Sequence, residues 1–323
     1  MQKKLYPLKF HPILKEKIWG GTKLNSLLNK PSKLPNVGES WEISDVKGDA
    51  SIVGNGELSG RTLDSLLKEY KHELVGGRVY NQFGNKFPLL IKFIDANQDL
   101  SIQLHPNDEL AVARHNSFGK TEMWYVMQAD ANANLILGFN KNITAEDYLK
   151  HLEAKTLTEI LNFEQVSEGD TFFIETGRIH AIGAGVMLAE IQQTSDITYR
   201  VYDWDRVDAH GNSRTLHNDL ALEAINFEQE DNFKVSYPKE KNHTNKMVDC
   251  PYFTTNYLEI DTTINKQNNK DSFIIYMCVH GDLIIKGGWF EESLSKGETV
   301  LLPANIIEYQ LISEEAKLLE VYV

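Results

Sequence analysis

The sequence predicts a mainly β chain built from two barrel- or sandwich-like units with helical insertions. Three observations carry that prediction. Many short runs rich in β-branched and aromatic residues are separated by Gly, Asn, Asp and Pro turns. Helical periodicity is confined to three stretches. A strand-and-turn frame from the middle of the chain recurs near its end.

Taken in order, the strand-like runs are FPLLIKFIDA (87–96), LSIQLH (100–105), TEMWYVMQA (121–129), NLILGF (134–139), DTFFIE (170–175), VMLAEIQQ (186–193) and ITYRVYDW (197–204). TTNYLEI, SFIIYMCVHG, DLIIKGG, ETVLLP and KLLEVYV follow after residue 250. In LSIQLHPND the apolar Leu100, Ile102 and Leu104 alternate with Ser101, Gln103 and His105, which places the three polar residues on one face of a strand that Pro106 ends. Helices are expected at about 61–76, where Gly76 and Gly77 supply a stop, at 144–163, where Thr144 and Asp147 form a weak capping box, and at 218–227. The polar stretch 228–246 is the best boundary, dividing a first domain, 1–235, from a second, 236–323.

The recurring frame is GDTFFIETGRIH (169–180) against GETVLLPANIIE (297–308). Both run from a Gly-acid turn through a five-residue strand and a tight turn to a polar residue, His180 or Glu308. The frame resembles the second motif of cupin barrels, G-x5-P-x-G-x2-H. The first copy has Glu for Pro, and the second ends in Glu308. Two copies on either side of a boundary imply two cupin-type (jelly-roll) β-barrels with helical insertions, the C-terminal one without a metal site and packed against or covering the first.

Composition narrows the function. The chain has 323 residues, 41% hydrophobic and 24% charged, with a formal charge of −13. That balance argues against nucleic acid as a partner, and it means that an anionic substrate needs a local cluster of Lys and Arg. Two cysteines without a CxxC exclude a disulfide framework and a cysteine zinc site. No apolar run approaches the roughly 18 residues of a membrane span, and the first residues do not read as a secretory signal. A cytoplasmic protein with no membrane partner is the expectation.

With cysteine absent, imidazole, carboxylate and amide oxygen are the available metal donors. Gln103 and His105 share a strand face, Glu122 opens a strand, and His180 closes the cupin-like turn. Taken singly, His105 reads as a satisfied core residue and Glu122 as a solvated carboxylate. Their occurrence together with the His180 frame raises both.

Over about two-thirds of its length and in order, the chain resembles the type I phosphomannose isomerases of the short bacterial kind. The segments are YPLKFHPILKEKIWGGTKL, GESWEISD, FPLLIKFIDANQDLSIQLHPND, GKTEMWYV, GRIHAIGAGVMLAEIQQTSDITYRVYDWDR and LHNDLALEAI. The resemblance implies one Zn2+ per chain held by Gln103, His105, Glu122 and His180, with Arg200 as the active-site arginine. It also implies interconversion of mannose 6-phosphate and fructose 6-phosphate through an enediol, which places the chain in mannose and central carbohydrate metabolism. Sixteen residues separate His105 from Glu122 where an ordinary cupin has a short gap, and the isomerases share that insertion.

Such chemistry needs a group to stabilise the enediolate, cations for the phosphate of a phosphorylated hexose, and a base. Lys120 and Arg200 are assigned to catalysis with Glu190, which shares a strand face with Gln192 and Thr194. Glu42, Asp196 and His105 remain alternatives for the base. Trp41, Glu42, Lys92 and Arg206 are assigned to substrate binding. The expected state is a monomer or homodimer. The competing readings are an iron-dependent oxygenase cupin, which wants more histidine ligands and an apolar pocket, and a non-catalytic sugar-phosphate-binding cupin. The amide ligand and the nearby cations argue against the first, and retention of Arg200 and Lys120 argues against the second.

Overall fold

A computed structural model describes residues 3–208, 210–230 and 232–323 and shows three large antiparallel sheets. The first has six strands in the spatial order Ile13–Gly21, Val37–Ile43, Leu89–Asp95, Val186–Gln193, Glu122–Ala129 and Thr171–Ile174. The second has five, in the order Tyr199–Tyr202, Ile102–Leu104, His180–Ile182, Asn134–Phe139 and Leu161–Gln165. Trp124, Val126, Leu188 and Phe172 of the first sheet meet Leu135, Leu137 and Ile182 of the second in one core. The mainly β, cupin-type jelly roll is therefore present, as an open sandwich of two sheets and not a closed barrel.

The third sheet runs Asn245–Asp249, Thr254–Ile260, Glu308–Tyr322, Ile274–Lys286 and Glu291–Ser295, with Ile264–Gln267 and Thr299–Leu302 added to its two long strands. Register shifts at Cys278/His280 and Asp282/Ile284 bend it around a core of its own that includes Leu258, Tyr276, Leu283 and Leu318. Its other face brings Tyr257, Ile275, Met277, Leu319 and Val321 against Leu89, Ile91, Phe93, Met123, Tyr125 and Ile191. The six-stranded sheet is thus the middle layer of the molecule. This explains why Leu89–Asp95 is buried along its whole length and carries no polar-out alternation. Near the start of the chain, Leu8 bridges Leu301, tying the N-terminal segment into the third sheet.

The repeated frame is reproduced in three dimensions. Gly169 and Gly297 both sit at φ +85°, strands follow at Thr171–Ile174 and Thr299–Leu302, and the next strands begin at His180 and Glu308. The helices depart from expectation. Residues 61–76 hold two helices, Leu63–Tyr70 and His72–Val75, because Lys71 takes φ +48° and breaks the run; a third, Gly77–Phe83, follows Gly76. The helix expected over 144–163 stops at Glu153; a 3-10 turn at Leu157–Ile160 and the strand Leu161–Gln165 follow. At its start the Thr144–Asp147 capping box is formed in full. The last expected helix is only Asn218–Leu222. Lys23–Leu28 and Asp108–His115 are helices that short, weakly periodic segments concealed.

Candidate active site

The two sheets of the sandwich present polar side chains to each other at one end. Glu122 comes from the first sheet, at the start of its strand and in register with Gln192 and Ile174. His180 opens a strand of the second sheet in register with Gln103, which also faces Arg200 across the strand on its other side. The His180 turn is fixed to the His105 turn by the Gly177 amide, which donates to the His105 carbonyl at 2.8 Å. Gly177 has φ +82°, and a Cβ there would lie 2.5 Å from the Ala224 carbonyl oxygen, so this turn requires glycine.

His105, Glu122 and His180 are buried, and their ligating atoms all lie within 4.8 Å of one another. His105 Nε2 is 3.5 Å from Glu122 Oε2, and His180 Nε2 is 3.6 Å from Glu122 Oε1. Ligands held at ~2.1 Å around a tetrahedral ion stand roughly 3.4 Å apart, so the spacing fits a metal. Each imidazole is oriented from behind: His105 Nδ1 lies 2.8 Å from the Ile197 carbonyl oxygen and His180 Nδ1 lies 2.9 Å from that of Arg178. With the proton on Nδ1, both Nε2 lone pairs point into the cluster. His180 Nε2 and both Glu122 oxygens find no well-formed hydrogen bond among the described residues. Buried polar atoms left in this way indicate room for a partner, and two imidazole nitrogens with a carboxylate form a donor set that could hold a cation.

Electrostatics point the same way. Burial holds the His180 pKa down to about 3, and burial with the Lys120 charge beside it holds His105 well below its usual range. Both rings are therefore neutral and fit to ligate. Burial pushes the Glu122 carboxyl up against the pull of Lys120, the cost of a carboxylate with too little positive charge beside it. Lys120 Nζ lies 3.0 Å from His105 Nε2 and 3.1 Å from Glu122 Oε2.

A cleft of about 330 Å³ opens from this cluster, lined among others by Trp41, Lys92, Ser101, Gln103, Glu190 and Arg200. Lys15 and Lys92 both lie over the Trp41 ring in its wall, with Nζ 4.7 and 5.4 Å from the ring centre. Glu190 accepts from Trp124 Nε1 at 2.9 Å and pairs with Lys92 at 2.9 Å. Burial works to raise the Glu190 carboxyl, but the Lys92 and Lys120 charges outweigh it and hold it low. Arg200 has no carboxylate within ion-pair distance among the described residues; Ser101 Oγ accepts from its Nε at 3.3 Å and the Thr215 carbonyl from its Nη1 at 2.9 Å. Asp203, which could have neutralised it, is taken by Arg206 and Arg214. A guanidinium kept free at a cleft is ready for an anion.

Comparison with known proteins gives the family. A model of the type I phosphomannose isomerase catalytic domain matches residues 7–134, and one of the mannose-6-phosphate isomerase cupin domain matches residues 243–323. A mannose-6-phosphate isomerase of Bacillus subtilis is 35% identical over 94% of this chain and 95% of its own length. The chain belongs to the type I phosphomannose isomerase family. A Streptococcus mutans mannose-6-phosphate isomerase is 33% identical over 94% of both chains. The solved mannose 6-phosphate isomerase of Bacillus subtilis superposes with a TM-score of 0.89 at 30% identity, covering 98% of this chain and 99% of the other. The enzyme is a mannose-6-phosphate isomerase of this family.

Within this isomerase, the sequence-derived residues divide. Trp41, Lys92, Gln103, Lys120, Glu190 and Arg200 line the cleft, with the His105–Glu122–His180 cluster against it. Glu42 does not: it lies on the opposite side of its strand, where Lys30 pairs with it at 2.7 Å and Ser40 Oγ donates to it at 2.6 Å. Period-2 alternation places Trp41 and Glu42 on different faces, so the two cannot share one site. Arg206 is also absent from the lining and serves Asp203. Lys15, Lys17 and Arg214 line the cleft without having been singled out. The two lysines alternate along Ile13–Gly21, a signal that was readable; Arg214 sits in an irregular segment that offers none.

Proposed function

We propose that the enzyme interconverts D-mannose 6-phosphate and D-fructose 6-phosphate through an enediol, with one Zn2+ per chain held by Gln103, His105, Glu122 and His180. The observation that carries this reading is the buried cluster of two neutral imidazoles and one carboxylate, with orphaned lone pairs, beside a cleft holding a free arginine. Such an ion supplies Lewis-acid stabilisation of developing oxyanions and orients the sugar oxygens. With Glu122 as its one anionic ligand the site keeps a formal charge near +1, useful where an enediolate forms.

The remaining work falls to the chain's own groups. The His105 lone pair that Lys120 now contacts is the one a metal would use, which would leave the Lys120 ammonium for the substrate. Lys120 and Arg200 then serve the sugar's oxygens, and Glu190, held ionised by Lys92, is the candidate proton carrier between C1 and C2. Asp196 at the cleft is the alternative base. The phosphate is met by the cleft's lysines and arginines, which create a locally positive mouth on a chain of net charge −13. Trp41 forms the wall beneath the sugar. The division into 1–235, carrying the site, and 236–323, carrying none, belongs to the same reading, as do a cytoplasmic location, a monomer or homodimer, and a role in mannose metabolism.

Purified protein mixed with mannose 6-phosphate, with fructose 6-phosphate assayed with and without a chelator, tests the whole reading. Product that disappears on chelation and returns with Zn2+ is expected, and no product from zinc-loaded protein would sink it. His180→Ala is expected to lose both bound metal and activity.

A further inference from the structure

Asp108 ends the turn that follows His105 and opens the helix Asp108–His115, and the chemistry above leaves it without a task. Its carboxylate is nevertheless the centre of a network. Oδ1 accepts from the Gly119 amide at 2.7 Å and from Gln193 Nε2 at 3.1 Å, while Oδ2 accepts from the Tyr252 hydroxyl at 2.9 Å. Gln193 holds Thr121 from both sides: its Oε1 accepts from the Thr121 amide at 2.9 Å, and its own amide donates to the Thr121 carbonyl at 3.1 Å. The Lys120 amide donates to the Pro106 carbonyl at 3.3 Å. The backbone from Gly119 to Thr121, immediately before Glu122, is thus held at every amide. The approach needs glycine at 119, where a Cβ would lie 2.8 Å from the Asp108 nitrogen and 3.1 Å from its Oδ1.

Tyr252 belongs to the turn joining the first two strands of the third sheet, outside the catalytic sandwich. We infer that Asp108 is a positioning residue that sets the Gly119–Glu122 segment, and that through Tyr252 the C-terminal unit braces Lys120 and Glu122 from behind. The unit that brings no ligand of its own thereby acts on the site. Small displacements of reacting or ligating groups are costly, about 10²-fold in rate for 1 Å, and second-layer partners of metal ligands commonly govern how long the ion stays. The inference rests on the reading of Glu122 as a metal ligand.

The test compares wild type, Tyr252→Phe, Asp108→Asn and the double variant, measuring kcat and KM separately and following zinc content during exposure to a chelator. Tyr252→Phe keeps its ring in the core and removes only the hydroxyl. Its kcat is expected to fall about 3–10-fold with KM within about twofold, and its zinc to be lost several-fold faster. Asp108→Asn should be more affected, and the double variant no worse than Asp108→Asn, because Tyr252 acts through Asp108. Wild-type kcat and zinc retention in Tyr252→Phe would overturn the inference, whatever happens to thermal stability, and so would effects that multiply in the double variant. If wild type retained zinc but failed to isomerise, the activity assignment would fall, and the zinc-loss rates would still decide the bracing.

Discussion

Arg200 and Glu42 show how the same chain treats two charges in opposite ways. Arg200 has neighbours that orient it without neutralising it: a serine hydroxyl and a peptide carbonyl. Ser101, which the strand pattern placed on the polar face without a role, is one of them. A lysine there keeps the charge and loses the fork, so Arg200→Lys is expected to lower kcat/KM by roughly 10–100-fold, the worth of one or two charge-assisted bonds. Steady-state kinetics check this, and a change under twofold would remove Arg200 from the reaction. Glu42 is instead consumed by Lys30 in a buried pair. Glu42→Gln leaves that ammonium without its counter-charge and is expected to cost roughly 2–3 kcal/mol of stability, with kcat unchanged. Denaturant unfolding and kinetics on the same sample separate the outcomes, since lost activity at full stability would return Glu42 to the substrate.

At the level of elements, what could be read from sequence depended on how local its cause was. Alternation in LSIQLH put Gln103 and His105 on one face because strand geometry is set within a few residues, and the Thr144 cap forms for the same reason. The recurring Gly-strand-turn frame was readable because glycine at φ +85° is required in both copies. Helix lengths were not, since the exposed Lys71 and Lys155 take positive φ against their intrinsic preference, and their residue type gives no sign of it. The cation set of the cleft was half visible: the alternation of Lys15 and Lys17 marks one strand face, but sheet order decides which site that face meets, and Arg214 sits in an irregular segment. Gly177 is where an element's local rule bears directly on the site. Gly177→Ala forces a Cβ towards the Ala224 carbonyl at φ +82° and is expected to cost roughly 1–3 kcal/mol. Because that turn carries both the His105 contact and His180, zinc content should fall with it. Metal analysis and thermal unfolding check this, and full zinc occupancy in a destabilised variant would show that the turn does not position the ligand.

The whole molecule is a stack in which the six-stranded sheet serves two masters. Met123, Tyr125 and Ile191 on one face are packed by the C-terminal sheet, while on the other Trp124 and Glu190 line the cleft and Glu122 joins the histidine cluster. The middle layer is therefore held rigid from behind, as a preorganised polar site requires. The proposed ligands are divided between the sheets, Glu122 on one, Gln103 and His180 on the other and His105 just past the end of Ile102–Leu104, so an ion there would act as a cross-link across the mouth of an open sandwich. This makes metal a matter of stability as well as chemistry. Without it the sandwich keeps a buried carboxyl facing two neutral imidazoles, with Lys120 and, farther off, Lys92 working against the burial that pushes it up. An ion bound to the folded state alone adds roughly 4 kcal/mol at a free concentration a thousandfold above its Kd. Exhaustive chelation is accordingly expected to lower Tm by roughly 5–10 °C, and Zn2+ to restore it. Glu122→Ala, which removes both the buried charge and the ligand, should have a Tm indifferent to chelator. Differential scanning calorimetry on these samples decides it: a Tm of the unaltered chain that chelation leaves in place would mean that the ion, if bound, does not join the two sheets.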